Sequence, residues 1–152
     1  MSQFIQIITA FIGSIGFAIL YNIKGKKLLI CGLGGAFSWT IYLLAYHHFN
    51  DVVLALLIST ISSGFLAEFL ARIIKTPVII LLVPMLIPLI PGSDLYYTTQ
   101  SLMLNEIDAV SHYGNLVIKE AAAIAMGIIL SVCIVQIVMK FIQFSHKHSH
   151  NT

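Results

Sequence analysis

The feature that most constrains this chain is a proline-broken run within an otherwise apolar stretch. Residues 84–97 read PMLIPLIPGSDLYY, in which Pro84, Pro88 and Pro91 precede Gly92. Proline has no backbone N–H and its ring clashes with the carbonyl four residues earlier, so a helix through this run would leave carbonyls without partners. Irregular backbone at membrane depth is tolerated only where it is buried in protein or lines a cavity. The run therefore predicts a broken transmembrane segment, which is where transporters build their substrate sites.

Composition places the chain in a membrane. It has 152 residues, of which 59% are hydrophobic and 9% charged, whereas a soluble domain carries roughly 25% charge. We expect one polytopic membrane domain over residues 1–145, followed by a His-rich cytoplasmic tail over residues 146–152. The formal net charge of +2 is small and scattered, so nucleic acid is not an expected partner.

The predicted fold is all-α and integral to the membrane, with about five transmembrane helices, a proline-broken fourth span and a short amphipathic helix after it. A span needs about 20 apolar residues in a helix. The fourth has only 14, but extended backbone around its prolines would let it cross. The predicted spans are Phe4–Ile23, Leu28–Tyr46, Val52–Ala71, Pro77–Ile90 and Ala121–Phe141.

The stretch between Asp94 and Asn115 is too mixed in polarity to face lipid. It predicts the short amphipathic helix, with Ser93 or Asp94 as its N-cap because either side chain can accept from the first free amides. Lys119 and Glu120 then open the last span and are expected to anchor it at the interface.

The distribution of basic residues predicts the orientation. With five crossings, seven of the eight Lys and Arg residues fall on one side and only Lys119 on the other. Basic loops stay in the cytoplasm. The N-terminus is therefore expected outside and the C-terminus inside the cell membrane.

Small residues recur at every fourth position and indicate close helix contacts, within this chain or with another subunit. They are Ala10, Ser14 and Ala18; Gly32, Ala36 and Thr40; Ser59, Ser63, Ala67 and Ala71; and Ala123, Gly127 and Ser131.

Polar side chains inside spans are candidate functional groups. Glu68 and Arg72 are four apart on one helical face, which predicts an ion pair at the interface and makes Glu68 a candidate proton carrier. The alternating histidines of the tail favour a solvated segment over a metal site, because no carboxylate or cysteine completes the ligand set. Cys31 and Cys133 are expected to be buried and unlinked. No cofactor, metal or enzymatic motif is indicated.

Several segments carry a family resemblance. The AEFLAR stretch at Ala67–Arg72, the KTP at Lys75–Pro77, the proline run and the five-span layout resemble the threonine/serine exporter (ThrE-like) family, in its small split membrane subunit. The resemblance runs from about Phe4 to Phe141. It implies proton-driven export of small amino acids and a larger partner subunit, whereas some split members are associated with export of dicarboxylates such as succinate.

The sequence and the resemblance together suggest a membrane subunit of a secondary amino-acid exporter. Pro84, Pro88, Pro91 and Gly92 would unwind the fourth span, and the amides after Gly92 would face the substrate carboxylate. Ser93 lies beside them, while Asp94, Tyr96 and Tyr97 would contact the amine or shape the gate. Two alternatives remain open: a dicarboxylate exporter subunit, and a scaffold or regulatory subunit that does not transport. A homo-oligomer is a further possible assembly.

Overall fold

Six helices joined by short turns make up the computed structural model, which describes residues 2–149, with side chains described for residues 2–140. The helices are α1 (Gln3–Leu20), α2 (Lys26–Phe49), α3 (Val52–Ile73), α4 (Val78–Leu86), α5 (Gly92–Met103) and α6 (Ile107–Ser149), with a 3-10 turn at Ile87–Leu89. No strand occurs among the described residues.

Four of these helices are long and apolar enough to cross a membrane, namely α1, α2, α3 and α6. Helix α4 with its 3-10 turn and helix α5 pass the same test together and are bent by 58° between Val78–Leu89 and Gly92–Met103. This bent pair makes the fifth span if it crosses as one unit. The predicted all-α membrane fold is confirmed, with four or five candidate spans, and the bend lies at the predicted proline run.

The last helix begins earlier than the sequence suggested. It starts at Ile107 rather than Ala121, so the mixed stretch is shared between α5 and the first turns of α6. The reason is tertiary packing. Half-buried residues of early α6 lie against α5, where a Cβ at Gly114 would lie 3.8 Å from the Thr98 methyl group, while His112 and Asn115 are exposed.

The predicted N-cap of α5 is also wrong. Pro91 occupies the cap position, no side chain caps the helix, and Ser93 and Asp94 lie within its first turn. The preceding residue, Ile90, is extended, as a residue before proline prefers. The helix therefore starts two residues earlier than a cap at Ser93, and three residues earlier than a cap at Asp94, would place it.

Close approach between helices depends on small residues, as the stripes indicated. In α1, Ala10, Ser14 and Ala18 are buried, and Ser14 touches Gly35 of α2. Helix α3 meets α6 where Thr60 packs on Gly127 and Gly64 on Ser131. In α2 the stripe is only partly right, because its buried positions lie on two faces and include Cys31, Gly34 and Ser38 rather than Ala36 or Thr40.

Hydroxyl groups join α2 to α3 in the bundle interior. The Ser59 hydroxyl donates to the Ser38 carbonyl at 2.6 Å, and the Ser38 and Ser63 hydroxyls are also 2.6 Å apart. All three serines are fully buried. Hydrogen bonds of this kind hold membrane helices together where lipid supplies no hydrophobic drive.

The first turns of α6 lie beyond the N-terminal end of α3, the helix on which later turns of α6 pack. Glu120 lies near Val52, Gly127 near Thr60 and Ser131 near Gly64, so α3 and α6 run parallel to each other. Because α3 begins at Val52, residues 107–119 have no α3 beside them and pack on α5 instead. We call α5 with residues 107–119 the α5–α6 hairpin.

The expected tail is only partly within the structure. Helix α6 reaches Ser149, and residues 150–152 lie outside the described residues. The division of the chain at residue 145 stays a prediction.

We predict that Gly35→Leu will weaken the bundle. A Cβ at this position would collide with the Ser14 side chain, and overpacking of this kind costs about 1–3 kcal/mol. The measurement is thermal unfolding in detergent, followed by size-exclusion chromatography with fluorescence detection.

Gly13→Leu is the matched control, because a Cβ at Gly13 meets nothing within 4 Å. Equal melting temperatures for the two variants would contradict the α1–α2 contact.

Candidate functional site

The helix break lies after α4 and not at its first proline. Pro84 is buried inside α4, and the carbonyl that it deprives of a helical partner, that of Ile80, receives the Cys31 thiol at an Sγ–O distance of 3.8 Å. Cys31 is buried as predicted, whereas Cys133 is exposed. The thiol thus gives the helix a partial substitute for the hydrogen bond that proline removes.

The backbone leaves the helical path between Ile87 and Pro91. Ile90 donates to the Ile87 carbonyl at 3.2 Å, and the Gly92 amide donates to the Ile90 carbonyl at 2.7 Å. Gly92 has room for a side chain, since a Cβ there meets nothing within 4 Å and its φ is not positive. The prolines therefore determine the break, and the glycine is not required for it sterically.

A small cavity of about 100 Å³ lies against this break. Four helices meet there: α2 contributes Trp39 and Tyr42, α3 contributes Val52 and Leu56, α5 contributes Ser93 and α6 contributes Glu120, while the break contributes residues 88–91. We call this space the break cavity.

One carboxyl group that lines the break cavity, that of Glu120, has a second one beside it. Glu120 is only 4% exposed, and its Oε2 atom finds no hydrogen-bond donor among the described residues. The Asp94 carboxyl group lies within hydrogen-bonding reach of it. Tyr42 is close enough to interact electrostatically with both acids. The arrangement is an acid pair, in which Glu120 is buried and Asp94 half-buried, beside the aromatic side chains of Trp39 and Tyr42.

Glu120 is the residue that sequence reasoning missed. The sequence predicted that Glu120, like Lys119, anchors the last span at the membrane interface. Glu120 is only 4% exposed, so this prediction is wrong. A signal was present, because Glu120 precedes Ala123, Gly127 and Ser131 at helical spacing and so extends the small-residue stripe that packs on α3. An acid in line with a packed face is buried with that face.

The two tyrosines after the break do not line the break cavity. Tyr96 is 63% exposed, and the Tyr97 ring stacks on Tyr113 with a centroid distance of 5.3 Å. They belong to the α5–α6 hairpin. Any contact of Tyr96 or Tyr97 with a solute would therefore occur on the exposed surface of this hairpin and not in the break cavity.

Glu68 and Arg72 form an ion pair remote from the break cavity. Arg72 Nη2 lies 3.1 Å from Glu68 Oε2, and the arginine side chain is 46% exposed. Twelve residues separate Leu56 from Glu68 along α3, which corresponds to about 18 Å along the helix axis. The two acidic sites are therefore separate.

A second, larger cavity lies near the opposite end of α4. It measures about 360 Å³ and is lined by Tyr21, Lys24, Lys27, Ile80 and Pro84 among others. The Lys27 ammonium donates to the Thr76 hydroxyl at 3.1 Å. The proline segment thus contacts a basic cavity through Pro84 and the acidic break cavity through Pro88 and Pro91.

Comparison with known protein families assigns the chain to a class of protein. Residues 6–134 match the model of a family described as threonine/serine exporter, ThrE. The chain belongs to this exporter family. Its role is therefore membrane transport of the threonine/serine exporter type, with a small solute and a lipid bilayer as partners, in a family of transporters rather than enzymes. No curated protein and no solved structure gives a significant match.

We predict that Glu68→Gln will hardly change the stability of this ThrE-family chain. Its partner is half exposed, and exposed ion pairs contribute roughly 0–1 kcal/mol. Melting temperatures in detergent at low and high salt measure this. A loss as large as that expected for Gly35→Leu would show that the pair is structurally essential.

Proposed function

We propose that this chain is the membrane subunit of a proton-coupled exporter of threonine, serine and similar small amino acids, with its solute site at the break cavity. The observation that carries the proposal is the acid pair, the buried Glu120 with the half-buried Asp94, beside an interrupted helix. Ionisable groups inside a membrane bundle mark solute and ion pathways.

The break cavity offers complementary groups for a zwitterion. The acid pair would hold the ammonium group. The N-terminus of α5 has no side-chain cap, and its free amides favour a carboxylate. One small solute could therefore bridge the two features across Pro91 and Ser93, which both line the cavity.

Cavity size favours a small solute. The break cavity holds about 100 Å³, well below the roughly 300–1,000 Å³ of sites for drug-sized ligands. The acid pair also disfavours the dicarboxylate alternative, because a dianion would meet two carboxyl groups at the same place.

A larger partner subunit is part of the proposal. Helix α5 packs extensively on α6 alone among the helices, and apolar residues of the α5–α6 hairpin such as Leu102, Met103 and Ile107 are exposed. A second membrane unit in the inverted orientation would cover such a surface and complete the solute site at the repeat interface. In this arrangement the N-terminus lies outside the cell membrane and the tail inside.

We predict that joint replacement of Pro88 and Pro91 by alanine will lower threonine export about tenfold or more. Alanine would let α4 and α5 join into one helix and close the break cavity. A tenfold loss corresponds to roughly 1.4 kcal/mol in the transport barrier. The measurement is threonine efflux at matched membrane abundance. Pro77→Ala is the control, since Pro77 is exposed at the start of α4 and lines no described cavity at the break. Export that survives in the double variant would favour the non-transporting scaffold.

We also predict that threonine, but not succinate, will change the intrinsic fluorescence of the purified protein. Trp39 is the chain's single tryptophan and lines the break cavity, so it reports on occupancy there. Tryptophan emission titrated with each solute at constant ionic strength is the measurement. A response to succinate alone would replace the amino-acid assignment with the dicarboxylate one.

A further inference from the structure

We propose that Asp94 and Glu120 share one proton, and that the ammonium group of the exported amino acid displaces it. This inference rests on the proposed function and specifies how that function is coupled. It assigns the coupling to Glu120 with Asp94 in place of Glu68.

The geometry of the pair favours a shared proton. Two ionised carboxylates are both acceptors and cannot hydrogen-bond to each other, whereas a protonated and an ionised carboxyl group can. The Asp94 and Glu120 groups lie within hydrogen-bonding reach, and the unpartnered Oε2 of Glu120 is buried. Two adjacent negative charges, one of them on the buried Glu120, repel each other, and a single shared proton relieves this repulsion.

Among the described residues, no positively charged side chain lines the break cavity to neutralise the acid pair in place of the shared proton. Helix α2 presents Tyr42, with Tyr46 one turn further, and α3 presents the apolar Val52 and Leu56. Asp51 at the start of α3 is exposed and uses its carboxylate to cap that helix by accepting from the Leu54 amide at 3.0 Å.

Lys119 is next to Glu120 in sequence but exposed, because adjacent residues point about 100° apart around a helix at 3.6 residues per turn. No lysine or arginine therefore lines the break cavity among the described residues.

Competition at the acid pair gives exchange of a proton for a solute. The pair holds either the shared proton or the substrate ammonium, because both would neutralise the same charge. When the solute arrives from the cytoplasm, the proton leaves on that side; when the solute departs outside, a proton from outside replaces it. Each cycle moves one proton inward and one amino acid outward, so the proton gradient drives export.

The test uses the full chain, purified with any subunit that accompanies it and reconstituted in proteoliposomes. Two activities are compared with radiolabelled threonine: accumulation driven by an imposed pH gradient, and threonine–threonine exchange without a gradient. Glu120→Gln is expected to lose gradient-driven transport about tenfold or more. It is expected still to exchange threonine, with a higher KM, since Asp94 alone then offers the negative charge. Asp94→Asn provides a second variant if Glu120→Gln fails to assemble.

Glu68→Gln is the matched control, an acid-to-amide change in the same chain that leaves the acid pair intact, and it is expected to keep both activities. Infrared spectroscopy adds a readout independent of flux: the C=O stretching band of a protonated carboxyl group should be present at neutral pH in the wild type and in Glu68→Gln, and absent in Glu120→Gln.

The outcomes separate the two proposals. Gradient-driven transport that persists in Glu120→Gln, or loss of both activities in a well-folded variant, would overturn the shared proton as the coupling element while leaving the exporter function intact. Absence of any threonine exchange by the wild type would overturn the exporter function itself, and the coupling with it.

Discussion

The interruption of the backbone between Ile87 and Pro91 is the constraint on which the rest of the structure depends. Amides and carbonyls that leave a helix inside a bilayer need protein around them. The structure satisfies this need with neighbours from α1, α2 and α3, and with hydrogen bonds that close over the break at Ile90 and Gly92. A segment surrounded in this way can adjoin a cavity without facing lipid.

Tight packing elsewhere makes that enclosure possible. Glycine and serine let α1 approach α2, and α3 approach α6, to distances that larger side chains would not allow. The α3–α6 contact carries Glu120 to the break, because the face that holds Gly127 against Thr60 holds Glu120 beside Val52 two turns away. The location of the acid is thus a consequence of helix packing.

Much of this fold follows from local sequence. The apolar segments, the prolines and the small-residue stripes are properties of neighbouring positions, and they predicted the spans and the break. The start of α6 was not predictable in the same way. The chain reverses direction at residues 104–106, and the polar first turns of α6 then pack on α5 as a helix. The family resemblance was recognisable from short motifs, and the match over residues 6–134 confirms it.

The sequence by itself determined that this is a helical membrane protein of the threonine/serine exporter family with a helix broken at its prolines, because hydropathy, proline geometry and motifs depend only on residues near each other in the chain. Only the tertiary structure decided which acids meet at that break. Asp94 and Glu120 are 26 positions apart, and their contact depends on the turn between α5 and α6. Glu68 and Arg72, which sequence spacing singled out, pair with each other about 18 Å along α3 from that site.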